Sequence, residues 1–431
     1  MIVFISDLHL VDETAGKHNI PAKAFKKFLE SIKVHSDNTE NKDKEVKIVF
    51  LGDIFDLLRT EEWFKEIEDD RPWGNDTENM RNRAKNILEK IAEKNKNTFK
   101  LFSEEALKRK FKGINIETIY IPGNHDRLCW MIEELKEKVI ELLGLNANNA
   151  ENFKPYFSNI EHGVYATHGH IFDEFNYERK SNHIEENYKL VPIGDPITTE
   201  IIAKLPYKLI KKVKEKCTLN KKEIEKLKRN FQDIENIRPL SATLKWLVYQ
   251  VDANRNLKNI IEETINEVAK DFRKLKFVKN WYKQHDRKRF DIADKIQYIL
   301  KFLRAFRVFK LKKLLKFADR IIKKIGKEGS VTGAEKLLSE LDKRIHYVVM
   351  GHTHTPQIEA LTLSNENRKS YEYVYLNTGT WRKSYYQYRD RSGFIGLKKM
   401  TYIIFYTSEE NPNKYKLPVF ETWQGILKGG D

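Results

Sequence analysis

The feature that most constrains this chain is a recurrence. Short β-branched or aromatic runs, each of strand length, end directly in clusters of Asp, His, Asn or Gly. The runs are Ile2–Ile5, Lys47–Leu51, Thr118–Ile121, Val164–Thr167 and His346–Met350, and Tyr373–Leu376 and Tyr402–Phe405 have the same composition. Apolar strands followed at once by polar, turn-forming residues describe an α/β sheet whose loops at the carboxyl ends of the strands carry the chemistry.

Three segments interrupt this core. Glu30–Val46 is rich in Asn, Asp and Lys, and its middle reads as a surface loop. Arg59–Glu117 holds Trp63, Phe64 and Trp73, then a helical pattern from Asn79 through Lys112. The largest runs from Ile171 to Arg344, with Lys, Ile, Leu and Glu at helical spacing and little Gly. Helices are expected at Lys204–Lys216, Lys221–Glu235, Ala242–Tyr249, Leu257–Lys279 and Asp294–Ile325, with Gly326 as a stop. Val191–Pro196 is the best candidate for a linker. The expected organisation is a core of 1–170 plus 345–431 and a helical, basic insertion of 171–344 lying as a cap over or beside the site.

Five motifs sit at the strand ends. Asp7-x-His9 places a carboxylate and an imidazole on one side of the chain, where they can chelate one ion. In Gly52-Asp53-x-x-Asp56 the glycine allows a tight turn, and Asp53 can bridge two cations. In Gly123-Asn124-His125-Asp126 the Asn124 amide oxygen is a hard-cation ligand. His125 then projects into the substrate space, with Asp126 expected to fix its tautomer and raise its pKa. His168-Gly169-His170 and Gly351-His352-Thr353-His354 each set two imidazoles on one side of a strand end, and neutral imidazole suits Mn, Fe or Zn. Any one of these histidines, met alone, reads as a satisfied surface or core residue. Half of the protein's 12 histidines nevertheless fall in these motifs, which makes the joint pattern specific.

The series Asp-x-His, Gly-Asp-x-x-Asp, Gly-Asn-His-Asp, His-Gly and Gly-His-x-His resembles the calcineurin-like metallophosphoesterases. The resemblance covers Met1–Leu10, Lys47–Leu58, Glu117–Arg127, Gly163–Asp173 and His346–Pro356. It implies a β-sandwich flanked by helices, with two divalent metal ions at one edge. By this likeness Asp7, His9, Asp53 and His354 hold the first metal, Asp53 bridges, and Asn124, His168 and His352 complete the second. The native metal would be Mn first, with Fe, Zn or Ni acceptable. The implied reaction is phosphoester hydrolysis, by in-line attack of a hydroxide formed from metal-held water. His125 would face the substrate, with Asp126 behind it. His168, directly before Gly169, is the favoured ligand, and His170 stands either behind it or against the substrate. Asp56 and Asp173 are candidate acceptors for ligand imidazoles. Arg382 and Lys383, after a Thr-Gly-Thr turn, are candidates for a phosphate clamp.

The helical insertion and the segment Gly-His-Thr-His-Thr-Pro followed by Asn377-Thr378-Gly379-Thr380-Trp381 are similar to the UDP-diacylglucosamine hydrolases, which cut a pyrophosphate on a nucleotide-sugar lipid. Those hydrolases usually carry Arg where His125 stands here.

Charge enters at the question of partners. With 79 Lys+Arg against 63 Asp+Glu, the formal net charge is +16, which favours an anionic phosphoester substrate, nucleic acid or an anionic lipid surface. Lys295–Lys324 has an apolar stripe with Lys and Arg opposite. It reads as a packed cap helix, a peripheral membrane helix or a nucleic-acid face. Trp281–Arg289 mixes aromatic and basic residues, a combination that suits bases and phosphates or simply a helix end. Phosphodiesterase or phosphatase, nuclease, and pyrophosphate hydrolase are the competing activities. Met1-Ile-Val-Phe-Ile-Ser-Asp has no leader pattern, no run suits a transmembrane span, and Cys129 and Cys217 are the only cysteines. A cytoplasmic location is therefore expected.

Overall fold

The computed structural model describes residues 1–39, 44–181, 183–238, 242, 243, 246, 255–285, 296, 327–361, 373–410 and 418–426. Every expected apolar run is a strand. β1 (Ile2–Ile5), β2 (Glu45–Leu51) and β3 (Asn115–Ile121) run parallel, with Val3 opposite Ile48 and Ile48 opposite Thr118. β4 (Phe157–Asn159), β5 (Val164–Ala166), β7 (Tyr347–Met350), β8 (Gln357–Leu361) and β9 (Tyr373–Asn377) form a second sheet in the order β4-β5-β7-β9-β8. The first sheet is completed by β6 (Ile237–Arg238), β10 (Lys383–Gln387), β11 (Phe394–Tyr406) and β12 (Val419–Ile426). Its order is β3-β2-β1-β11-β10-β6, with β12 also on β11.

β1 and the carboxyl-terminal halves of β2 and β3 are continuously apolar because both of their faces are buried. Ile2, Phe4, Val49, Leu51, Ile119 and Ile121 meet Phe157, Val164, Ala166, Val349 and Leu376 between the sheets. The alternate residues Val3, Ile5, Ile48, Phe50 and Tyr120 face a helical layer. That layer comprises α1 (Ala22–Asp37), α2 (Glu78–Lys94), α3 (Lys96–Phe102), α4 (Glu104–Lys110), α5 (Arg127–Met131) and α6 (Glu133–Leu143). On the outer face of the second sheet, Ala334 and Leu338 of a helix at Lys327–Glu340 pack on Tyr165, Val348 and Tyr375. The result is a helix–sheet–sheet–helix sandwich, the metallophosphoesterase fold.

Several details differ from expectation. The loop expected within Glu30–Val46 is shorter, because α1 runs to Asp37 and buries Phe25, Phe28, Leu29 and Ile32 on one face. The pattern from Asn79 to Lys112 is three helices, broken at Asn95, whose Nδ2 donates to the Ile91 carbonyl, and at Ser103, whose Oγ accepts from the Ala106 N–H. Tyr402–Phe405 is only the end of the long strand β11. Strands β4, β6, β8, β10 and β12 lack a continuous apolar run. β8 and β12 are largely exposed, so nothing forces one.

Within the 171–344 segment, α7 (Ile184–Tyr188), α8 (Gly194–Ile197), α9 (Lys204–Lys216), α10 (Lys221–Gln232), α11 (Arg255–Lys274), α12 (Lys276–His285) and α13 (Lys327–Glu340) are helical. The expected Leu257–Lys279 helix is interrupted at Leu275, between α11 and α12. The expected Ala242–Tyr249 and Asp294–Ile325 helices, the Gly326 stop and Asp286–Arg289 lie mainly outside the described residues. α9, α10 and α11 share an apolar cluster built on Leu209, Val213, Phe231, Ile261 and Ile265. Trp281 does not offer a free face to a base. It is buried, stacks on His285 at 4.2 Å and donates its indole N–H to Glu178. Among the described residues, no helix is long and apolar enough to cross a membrane.

The Val191–Pro196 stretch is an anchored crossing rather than a loose linker. The Gly194 N–H donates to the Phe175 carbonyl at 2.7 Å, and buried Asp195 accepts from Arg127 Nη2 at 2.8 Å. A second buried pair, Arg71 with Glu200, spans the same contact. Asp195→Ala strands the Arg127 charge in the interior, and a loss of about 3–5 kcal/mol is expected in urea unfolding. A loss under about 1 kcal/mol would show that the pair does not anchor the crossing.

Candidate metal centre

The carboxyl ends of β1, β2 and β3 and those of β5, β7 and β9 open on the same edge of the sandwich. The loops there are tied together by backbone hydrogen bonds. The Asp7 N–H donates to Gly52 O at 3.1 Å, the His9 N–H to Asp53 O at 2.9 Å and the Gly351 N–H to His168 O at 3.0 Å. This interlocking bends the chain sharply. Asp7, His9, Asp53, His352 and His354 all have positive φ, between 44° and 67°. Non-glycine residues take that conformation at a cost, and such strain concentrates where function demands it. Gly52 is required at its turn, with φ of 79° and a Cβ that would lie 2.4 Å from the His168 ring.

Two sets of ligand-type side chains converge. Asp7, His9, Asp53 and His354 form one, Asp53, His168 and His352 form the other, and a third group, His9, Asp56 and His125, adjoins them. In the first, the His9 and His354 Nε2 atoms approach to 2.9 Å, and His354 Nε2 lies 3.2 Å from Asp7 Oδ1. Asp53 belongs to both, its Oδ2 being 3.5 Å from His9 Nε2 and 3.2 Å from His168 Nε2. The residues fit divalent cations by a further sign. Asn124 Oδ1 and His168 Nε2 are buried and lack hydrogen-bond partners. A buried acceptor without a donor is costly, and a cation removes that cost. His168 Nδ1 is 2.9 Å from the Leu51 carbonyl, which makes Nδ1 a donor and turns Nε2 toward Asp53, where a bound cation would take the place of the ring's second proton. Asn124 is held by its Nδ2, which donates to Asn176 Oδ1 at 3.3 Å, so Oδ1 is left for a ligand role.

The His125 partner differs from expectation. His125 Nδ1 meets Asp56 Oδ1 at 2.9 Å, while Asp56 Oδ2 faces His9 Nδ1 at 3.2 Å. Asp126 does not hydrogen-bond the His125 ring. Its carboxylate accepts the Gly123 N–H at 2.6 Å and the Ile54 N–H at 2.9 Å, clamping two loops together. The role expected of Asp126 thus belongs to Asp56. Burial opposes charge on His125, but Asp56 and Asp53 outweigh it and raise its pKa well above the usual histidine value. Burial also opposes charge on His168, and Asp53 pushes that ring up to about 9. Burial would raise the Asp53 carboxyl, yet His168 and His125 hold it well below the usual carboxylate range. Asp126, buried and near Asp53, is raised to about 6.

His170 belongs to neither set. It is buried behind His168, edge-on to Tyr188 at 5.1 Å, and burial with the charges of His168 and His352 drives its pKa well down. Asp173 Oδ2 is 2.9 Å from His352 Nε2, in the expected acceptor role. The Thr-Gly-Thr turn does reach the centre, since Thr380 Oγ1 donates to the Asp7 carbonyl at 2.6 Å and accepts the Arg382 N–H at 3.1 Å. Lys383 is diverted, its Nζ lying 4.8 Å over the Tyr385 ring.

Sequence reasoning missed four participants. Asn176 links Asn124 to Asp173, donating to Asp173 Oδ2 at 2.8 Å. Arg238 on β6 brings Nη2 to 2.9 Å from His354 Nδ1. Glu235 and Arg59 pair at 2.7 Å beside it. Asp173-x-x-Asn176 is an Asx-turn spacing directly after the fourth motif, a usable signal. Nothing local marks Glu235 or Arg238, because only the parallel pairing of β6 with β10 carries them to the site.

Comparison with known proteins agrees with this geometry. The sequence profile of the calcineurin-like phosphoesterase family matches residues 1–356. No curated protein matches the chain. The chain belongs to the calcineurin-like phosphoesterase family and is a metal-dependent phosphoester hydrolase.

Proposed function

We propose that the hydrolase works with two divalent cations, one held by Asp7, His9, Asp53 and His354, the other by Asp53, Asn124, His168 and His352. The observation that carries this reading is Asp53 Oδ2, which stands between His9 and His168 and is common to both ligand sets. The unpartnered Asn124 Oδ1 and His168 Nε2 support it. When bound, such a pair offsets charge on phosphoryl oxygens and lowers the pKa of a held water. Oxygen and imidazole donors of this kind accommodate Mn, Fe, Zn or Ni, and Mn is the ion proposed here.

The chain's own side chains supply the rest. Asp56 holds the Nδ1 proton of His125, which directs Nε2 toward a bound phosphoryl group. There His125 stabilises oxyanion charge or protonates the leaving oxygen. Asp126 keeps the Gly123 and Ile54 loops in register. Residues 171–344 act as a cap, with α13 serving the sandwich. The substrate is a phosphodiester, a pyrophosphate or a phosphomonoester in a reducing cytoplasm, a location that the two free cysteines support.

A nuclease activity is the second reading. A recess of about 530 Å³ where α11 meets α12 is lined by Arg273, Lys274, Lys276, Lys279 and Lys283, a cationic surface suited to a polyanion.

Asn124→Ala and His352→Ala are each expected to abolish Mn-supported hydrolysis of bis(p-nitrophenyl) phosphate and to lower bound metal from two ions to one, with circular dichroism unchanged. Full activity in both would remove the ligand assignment. His125→Asn is expected to retain both ions while kcat falls by about 10²–10⁴. For the nuclease reading, Mn-dependent cleavage of DNA whose binding weakens steeply with salt is expected. Turnover of small nucleotides alone would exclude it.

A further inference from the structure

Three arginines gather on the side of the centre that carries His354, and they have too little negative charge among them. Arg382 is 2% exposed, yet none of its Nε, Nη1 and Nη2 atoms has a hydrogen-bond partner. The nearest carboxylate oxygen is Glu235 Oε2, 3.7 Å from Nη1. That oxygen is already engaged by Arg59 Nη1 at 2.7 Å. Arg59 Nη2 is taken up by the Gln232 carbonyl and by His18 Nε2. Arg238 spends Nη1 on the carbonyls of Glu235 and Ile237, and its Nη2 meets His354 Nδ1. Asp233, a further acid close to them, is occupied by the Tyr385 hydroxyl, the Asn236 amide and His18. The Glu235 carboxylate is therefore shared by Arg59 and Arg382, while Arg238 meets carbonyls and His354 and feels Glu235 and Asp7 only through space.

A guanidinium stays charged at any physiological pH, and burying one with its donors unmade is costly. The unpartnered donors of Arg382 suit an anion, and their place is defined. Arg238 touches His354, and Arg382 hangs from the Thr380 hydroxyl that caps the Asp7 carbonyl. Such an anion belongs directly beside the proposed metal positions. The oxygens of the reacting phosphoryl group are already served by two cations and His125 in the proposed mechanism, so three further cations are more than that group needs. Planar guanidinium forks match a second phosphate in two-point geometry.

We propose that Arg59, Arg238 and Arg382 form a subsite for a second, non-reacting phosphate of the substrate, with Glu235 as the resident counter-charge that the phosphate relieves. This rests on the hydrolase reading and deepens it. The enzyme then favours substrates carrying two phosphates within one site's reach. A pyrophosphate and a neighbouring phosphate of an oligonucleotide share that chemistry. The insertion supplies Arg238 and Glu235, so it takes part in choosing the substrate.

The test compares matched substrates in the full-length Mn-loaded enzyme. The dinucleotide dTpdT has one phosphate and pdTpdT has two, while UDP-glucose carries a pyrophosphate and bis(p-nitrophenyl) phosphate carries neither feature. Preference for pdTpdT over dTpdT, or for UDP-glucose over bis(p-nitrophenyl) phosphate, is expected at roughly 10- to 100-fold in kcat/KM. The pair that shows it identifies the source of the second phosphate. Arg382→Ala is expected to collapse that ratio chiefly through KM, and Arg382→Lys to restore part of it. Glu235→Gln should raise the ratio, an opposite sign that structural damage does not produce. Equal rates on all four substrates, or a ratio indifferent to both substitutions, would overturn the subsite and leave the hydrolase standing. Absence of any turnover would overturn both.

Discussion

The carboxylate of Asp53 lies where the two sheets meet, and the rest of the structure is arranged to tolerate it. Asp53 is 1% exposed, and Asp7 and Asp56 are as deeply buried beside it. Carboxylates at such depth persist only against positive charge or dense hydrogen bonding. Here Asp7 and Asp53 are met by imidazoles drawn from both sheets, and Asp56 by His9 and His125 of the first. His9 comes from the end of β1, His168 from the end of β5, and His354 from the end of β7. Placing those rings requires the strand ends to converge, which the apolar layer between the sheets enforces through Phe4, Leu51, Ile121 and Val349. The positive φ angles of Asp7, His9, Asp53, His352 and His354 are the local cost of that convergence.

The candidate metal centre was legible in the sequence because ligation demands particular side chains at particular chain positions. A carboxylate or imidazole must directly follow a strand, so each motif is short and contiguous. The same locality misled the reading of His125. Asp126 is its neighbour in sequence, but that carboxylate is consumed by the N–H groups of Gly123 and Ile54. Asp56, on another loop, holds the ring instead. The strands of the sandwich interior were legible because burial on two faces forces continuous apolar runs. β8 and β12 escaped notice because exposure relaxes that requirement. Arg238 and Glu235 were invisible for a different reason. They reach the site through one short strand pairing at the end of a helical segment, and no local pattern announces it.

The 171–344 segment meets the candidate centre at two places. Asp173 and Asn176, at its start, hold His352 and Asn124. Glu235 and Arg238, farther along, engage Arg59 and His354. Between them, buried pairs such as Arg127 with Asp195 tie the insertion to the core. Buried ion pairs stabilise a fold only weakly in net terms, since desolvation offsets most of their attraction, but they punish misplacement severely. Their use here sets position rather than adding stability. A cover that only excluded water would need no such registration. A segment whose Arg238 touches His354 does need it, because a displacement of about 1 Å would spoil that contact. The placement of the insertion and the geometry of the centre are therefore one constraint.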